Sequence, residues 1–572
     1  MPSSKPGLFA REATGLVREI GFTLGVIIIM SHVIGLGWQK RVFQFTGPKP
    51  MPTDMMPLGL PAMFWAFLVC GIVVVITGYA AGYVAAAMPR SGGGYVTISR
   101  VIHPFVGYVS AWLMFLAEAF SLGLIGVAVF EAIMIFFNIA LAPTAIVYTE
   151  VELFIGGLVI IWVFTIIALL GTRLYGRLME VLFYIPAVIT ILFFAMWIAG
   201  IMDPNAIANG VQDVMGAPAS KIMEIAIDTG MTNPLNIASF FDAFSFALAG
   251  AFWAYMGWYA TSFLAGEVKE ANKKLPMVLL TAGLIIMIVY LLASSLSAIA
   301  TMGVEPYTDV ITGHKWSFFQ AYAWVSYGSS NALSIAKSVI PNFQKAWSTG
   351  IASITARGLG LGWVSWLIAL GGVLWVANDI PPFLLVCSRT FFAMSFDRMM
   401  PEKFSYVSER WHSPVWAILA TAIFATPAAI SESMLLGLDK YLLWSNVVGT
   451  DIFDAFFLTM FCLSCMLLPI RRKDIYERAA VKHGKGAVIA LGLVAFLLGG
   501  FCLSIFLWQS TWIYDPAAWA ADMGYPIESA YYSLAGFILC ILVGILLYVG
   551  YWQRNKTRGI DMRTLYLNIP PE

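Results

Sequence analysis

Two apolar stretches of the chain are interrupted by the residue types that a backbone binding site needs. The stretch GFTLGVIIIMSHVIGLGWQKRVF, residues 21–43, carries Ser31, His32, Gly35 and Gly37 at its middle. The stretch FFDAFSFALAGAFWAYMGWYATSFLAGEVK, residues 240–269, carries Gly250 and Gly257. Glycine lets a helix unwind. Unwinding in an apolar surrounding frees N–H and C=O groups that must line a cavity rather than face lipid. Freed N–H groups at a helix start attract an anion such as a carboxylate. Freed C=O groups at a helix end attract a cation such as an ammonium, so a zwitterion fits both. The same glycines could serve only close helix packing. That they interrupt two stretches rather than one favours binding.

Ionisable residues inside other apolar stretches are the second source of chemistry, because a charge at the centre of a membrane helix costs about 2.5–3.5 kcal/mol or more. Glu118 lies near the middle of one stretch, and Asp379 stands beside Asn378 and before Pro381-Pro382 in another. Prolines free carbonyls there, so Asp379 is a candidate to hold Na⁺ or pass a proton, or to stabilise the helix break. Asp451 and Asp454 are three apart and share a helix face. They are expected to line an outer vestibule or to pair with polar groups of a neighbouring helix. Asp242 and Glu131, near stretch ends, are expected to be wet. His32 is placed to touch a ligand, or to cap freed carbonyls.

These residues must be held by a membrane bundle. Of 572 residues, 60% are hydrophobic and 11% charged, where a soluble domain carries about 25%. Mean hydropathy is +0.81. Twelve stretches approach the length of about 20 apolar residues that a spanning helix needs: near 20–43, 62–88, 104–138, 152–171, 178–202, 239–265, 276–303, 359–388, 414–431, 441–470, 486–510 and 529–553. Such long continuous runs suit helices rather than barrel strands. The 33 Lys and Arg nearly cancel the 32 Asp and Glu, so the basic field of a nucleic-acid binder is missing. The six cysteines all fall within the stretches, and the Cys462/Cys465 pair has no second pair to complete a metal site. The start MPSSKPGLFAREATGLVREI has no apolar run before the first span and does not read as a signal peptide.

With the N-terminus cytoplasmic, 24 of the 33 basic residues fall on cytoplasmic segments, which sets the orientation. An even number of spans then leaves both ends inside. Two outside loops are long, about 203–238 and 304–358, and the second (YAWVSYGSSNALS within it) is expected to lay short helices over the outer mouth. The two interrupted spans are the first and sixth. Five apart is an odd offset, so two five-helix repeats would have opposite topology.

Several stretches together resemble the amino acid–polyamine–organocation family of transporters. They are Ile34-Gly35-Leu36-Gly37; Ala87-Met88-Pro89-Arg90-Ser91-Gly92-Gly93-Gly94-Tyr95; and Phe252-Trp253-Ala254-Tyr255-Met256-Gly257-Trp258, followed by Gly266-Glu267-Val268-Lys269 and Leu275-Pro276. Ser388-Arg389, Ala393-Met394, Asp397, Met400-Pro401 and Ser413-Pro414-Val415 complete the set. The resemblance implies an all-α membrane protein with a five-plus-five inverted repeat, often called the LeuT fold, and two extra helices. Its parts would be a tail 1–19, a first repeat 20–202, an outer loop 203–238, a second repeat 239–470, two helices within 471–553 and a tail 554–572.

The resemblance also implies roles. A substrate carboxylate would bind the amides of Leu36 and Gly37, and an ammonium the carbonyls of Val33, Trp253 and Met256. Trp253 would cover the substrate. Ser31, His32, Gly35, Phe252, Ala254 and Gly257 complete the implied site. Glu118 lies close to a glutamate that some relatives link to proton coupling. Leu36 stands where the family has a small residue. Lys40 and Arg41 are expected to snorkel to the outer surface or to attract anionic substrates. Proton-coupled relatives often carry a lysine in the fifth span; RLMEVLFYIPAVITILFFAMWIAG has Pro186 there and no lysine. H⁺ or Na⁺ is the expected coupling ion if there is one, and no cofactor motif is present.

No acid follows Gly257 before Glu267, which favours a neutral amino acid as substrate. A polyamine or other organic-cation carrier is the alternative of the same fold, with the Asp451/Asp454 face reading the amine. A non-transporting sensor or membrane-complex subunit is the alternative of another class. No phosphate-binding loop or hydrolase elbow points to an enzyme.

Overall fold

A computed structural model describes residues 8–571 except 12, 14, 15, 17, 171 and 412. Part of the expected N-terminal tail 1–19, and residue 572 of the C-terminal tail, therefore lie outside the described residues. The chain is nearly all helix: 76% helix against 1% strand.

Among the described residues, eleven helices are long and apolar enough to cross a membrane. In chain order with the interrupted sixth they are α1 (Phe22–Gln44), α2 (Ala62–Ala87), α3 (Pro104–Ala140), α4 (Glu150–Leu169), α5 (Leu174–Met202), α6 (Phe240–Tyr255), α7 (Ala271–Met302), α8 (Gly362–Phe396), α9 (Val415–Ser433), α10 (Val447–Arg471), α11 (Lys485–Gln509) and α12 (Ile527–Thr557). Helix α6 is the shorter one, at 16 residues, because it stops at the break before Gly257. Local chemistry marks the starts. His103 caps α3 ahead of Pro104, Thr149 and Glu152 form a capping box on α4, Ser239 caps α6 and Asn446 caps α10.

Burial separates an inner set from an outer one. In α1 and α8, 78% and 83% of the most apolar window is buried, against 22% in α12 and 28% in α11. The outer helices α4, α5, α11 and α12 expose Ile155, Val188, Ile191, Leu497 and Leu546. Large apolar side chains displayed along such long helices form a lipid-facing belt; the chain is a multi-pass membrane protein.

Both long loops fold. Residues 203–238 form helices Pro204–Met215 and Ala219–Asp228. Residues 304–358 form a short hairpin, Tyr307–Thr308 with Lys315–Trp316, and helices that include Ser348–Gly358. That last helix is driven inward: Trp197 of α5 donates to the Ser348 carbonyl at 3.0 Å, and Thr349 donates to Gln39 of α1 at 2.7 Å.

Candidate functional site

Helix α1 is regular through Val33. Ile34 then leaves the helix (φ −82°, ψ 84°), and an under-wound turn, Gly37–Arg41, resumes it. Helix α6 ends at Tyr255; Met256 is extended (φ −48°, ψ 137°) and Gly257 sits at φ +92°, in the left-handed region that favours glycine. The two breaks face each other. A β-carbon on Gly257 would overlap the His32 ring, and one on Gly37 would overlap Ala254.

Helix α3 supplies one wall. His32 Nε2 and Glu118 Oε2 are 2.9 Å apart, with both side chains buried. One turn along, Ser121 accepts from Trp253 Nε1 at 3.2 Å and donates to Met256 Sδ at 3.2 Å. Helix α10 supplies another wall: the Tyr259 hydroxyl, just past the α6 break, donates to Asp454. Helix α8 supplies a third. Asp379 Oδ2 accepts the Leu36 amide hydrogen at 3.1 Å, and its carboxylate fills the space where a Gly35 side chain would go. Helix α7 contributes Tyr290, whose hydroxyl lies between the Val33 and Ala254 carbonyls, 2.7 Å from the latter.

His32, Val33, Gly35, Leu36 and Gly37 are thus gathered with Trp253, Ala254, Met256 and Gly257 around one centre, with Glu118, Asp379 and Asp454 against it, while Ser31, just before His32, is buried with no partner for its hydroxyl. Phe252 is turned away, its ring packed on Trp258 and on Phe506 of α11. Asp451 is buried one turn before Asp454, and neither of its oxygens has a partner. It faces inward rather than into an open vestibule.

Other expectations fail for a reason that lies on distant helices. Lys40 and Arg41 do not snorkel: they are 5% and 0% exposed. Lys40 pairs with Glu131 and with Glu432, each at 2.7 Å, and the Arg41 guanidinium lies 4.3 Å from the Trp253 ring centre. Glu131, expected to be wet, is 3% exposed because it pairs with Lys40. Nor is the centre free of acids. None follows Gly257 before Glu267 in sequence, yet Glu118 and Asp454 arrive there from α3 and α10. Ser121 and Tyr290 were not foreseen. Ser121 stands three residues after Glu118 and shares its face, a readable signal; Tyr290 has no such mark in an apolar helix.

The amino acid permease family model matches residues 21–544. The branched-chain amino acid permease BcaP of Bacillus subtilis is 22% identical over 95% of this chain and 94% of its own length. Solute carrier family 7 member 12 of Mus musculus is 21% identical over 97% of this chain and 96% of its own. The methylthioribose transporter of Bacillus subtilis is 20% identical over 87% of each. These relatives are transporters rather than enzymes. The chain belongs to the amino acid permease family.

Proposed function

We propose that this chain is a secondary carrier that moves a small amino compound, an amino acid or a close derivative, across the plasma membrane by alternating access around the α1 and α6 breaks. The observation that carries this is the contact of the two breaks: Gly257 on His32 and Gly37 on Ala254 put freed backbone groups of two helices in one buried place. Backbone groups exposed at membrane depth are tolerated only where protein or a cavity receives them. Ion pairs flank the place on both sides, Glu267–Arg389 toward the termini and Lys40–Glu131–Glu432 on the opposite side. Such a site can open to one side at a time.

The bias of Lys and Arg supports a cytoplasmic location for both termini. Asp379 and Glu118 are the best-placed groups to couple transport to H⁺ or Na⁺, since each carboxylate touches α1 at or beside its break. Acids that reach the centre from α3 and α10 support a cationic substrate beside the neutral amino acid that the sequence favours. A relative named for methylthioribose, which is not an amino acid, supports a site that is not tied to one backbone chemistry.

The test is uptake into liposomes holding the purified chain, preloaded or empty, with and without H⁺ or Na⁺ gradients, against labelled amino acids and amines. Saturable uptake is expected. Dependence on preload marks an exchanger, and dependence on a gradient marks a coupled carrier. Saturable binding without flux of any bound compound would replace the carrier by a sensor.

A further inference from the structure

We propose that Asp379 is a built-in carboxylate that determines specificity: it takes the seat where a substrate carboxylate would dock, so the site selects amines that lack an α-carboxylate. The inference rests on the carrier reading above and names its substrate class.

The seat includes the Leu36 amide at the α1 break. Leu36 N already donates to Asp379 Oδ2 at 3.1 Å. The carboxylate lies where any side chain at position 35 would collide with it, so glycine there makes room for Asp379 itself. Asp379 is 2% exposed and Leu36 is fully buried. A second carboxylate could reach this amide only by displacing the first or by sitting against a like charge at short range in a low-dielectric place. One carbonyl of the ammonium end of a zwitterion's seat, that of Val33, is engaged as well. The Val33 and Ala254 carbonyls share the Tyr290 hydroxyl. At each pole that an amino acid would need, one backbone group is therefore met by a side chain of the protein: the Leu36 amide by Asp379 and the Val33 carbonyl by Tyr290.

What remains open is acidic. Glu118 Oε1 and Asp454 Oδ2 are buried without hydrogen-bond partners, as are His32 Nδ1 and Ser31 Oγ at the break. The carboxylates come from two helices packed on each other. Arg41 lies over Trp253 and faces Asp451. Buried carboxylate oxygens without partners are costly unless something compensates them. An ammonium group supplies the opposite charge and up to three N–H donors.

The experiment compares pairs that differ only in the carboxylate: ornithine with putrescine, and arginine with agmatine. Binding to purified protein is read from tryptophan fluorescence, and flux from liposome uptake. For the wild type, the amine is expected to bind about tenfold or more tightly than its amino acid. In Asp379→Ser the seat is vacated, so the preference should fall or invert, and added acetate should restore amine binding by refilling the seat. Wild-type preference for the amino acids, with Asp379→Ser weakening both members alike and no rescue by acetate, overturns the assignment while leaving a carrier of amino acids. If Asp379→Ser does not fold, the wild-type pairs alone decide. No binding of any pair, with the protein folded, removes this proposal, and no flux of any amino acid or amine removes the carrier reading with it.

Discussion

The carboxylate of Asp379 packs on the α-carbon of Gly35 and accepts the amide hydrogen of Leu36 at 3.1 Å, joining α8 to the break in α1. A single methyl at position 35 would overlap both carboxylate oxygens. Overpacking a filled site typically costs about 1–3 kcal/mol. Gly35→Ala should therefore lower the melting temperature of the purified protein and weaken ligand binding. Adding Asp379→Ser removes the group that collides and should return much of the lost stability. A double variant no more stable than Gly35→Ala would mean that the two residues do not share this space.

Glu118 and His32 give a second prediction, in which charge and shape can be separated. Glu118→Gln keeps a hydrogen-bonding group of the same length 2.9 Å from His32 but removes the negative charge. It should fold with nearly unchanged thermal stability and lose about tenfold in affinity for putrescine. Glu118→Ala leaves His32 unpartnered in a buried place, and losing such a partner costs about 1–3 kcal/mol. Its melting temperature should fall clearly below that of Glu118→Gln. Equal putrescine affinity in Glu118→Gln and wild type would remove Glu118 from the ligand's surroundings.

The helix breaks were legible because glycine spacing is local, and the spans because about 20 apolar residues in a row have few alternatives in lipid. What completes the centre was not local. His32 meets Glu118 across 86 residues of chain, and Leu36 meets Asp379 across 343. The positive pair Lys40-Arg41 reads as a surface feature until Glu131 and Glu432 arrive from α3 and α9. Phe252 stands beside Trp253 in the motif, yet neighbours on a helix point about 100° apart, so one ring reaches Ser121 and the other reaches Phe506. The acids around Gly257 are invisible along α6 because they arrive across the bundle, from α3 and α10.

Trp253 gives a third prediction. Its indole donates to Ser121, and its ring lies beneath the Arg41 guanidinium. A desolvated cation–π contact is worth roughly 2 kcal/mol, and a buried donor bond about 1 kcal/mol. Trp253→Ala should cut uptake per folded protein by about tenfold or more, well beyond any fall in yield. Trp253→Phe keeps a ring under Arg41 but loses the bond to Ser121, so its uptake should lie between the two. Uptake per folded protein equal to wild type in Trp253→Ala would place the substrate elsewhere.

Ion pairs on the two sides of the centre make the last prediction. Toward the termini, Arg389 grips Glu267 with two bonds of 2.9 Å, beside Arg100 on Asp397 at 2.5 and 2.7 Å. On the opposite side, Lys40 joins Glu131 and Glu432 at 2.7 Å each. Breaking a buried pair leaves an uncompensated charge, at about 3–5 kcal/mol, and the strain is relieved if that side opens to water. Glu267→Gln should therefore bias the protein open toward the termini, and Glu432→Gln open on the other side. Single cysteines report this: Ser91→Cys sits near Gly266, and Thr349→Cys beside Gln39, both positions being 5% exposed. On a cysteine-free background, Glu267→Gln should speed labelling of Ser91→Cys by a polar thiol reagent and leave Thr349→Cys slow; Glu432→Gln should do the reverse. Faster labelling at both positions in either variant would show that the pairs support the fold as a whole rather than one gate each.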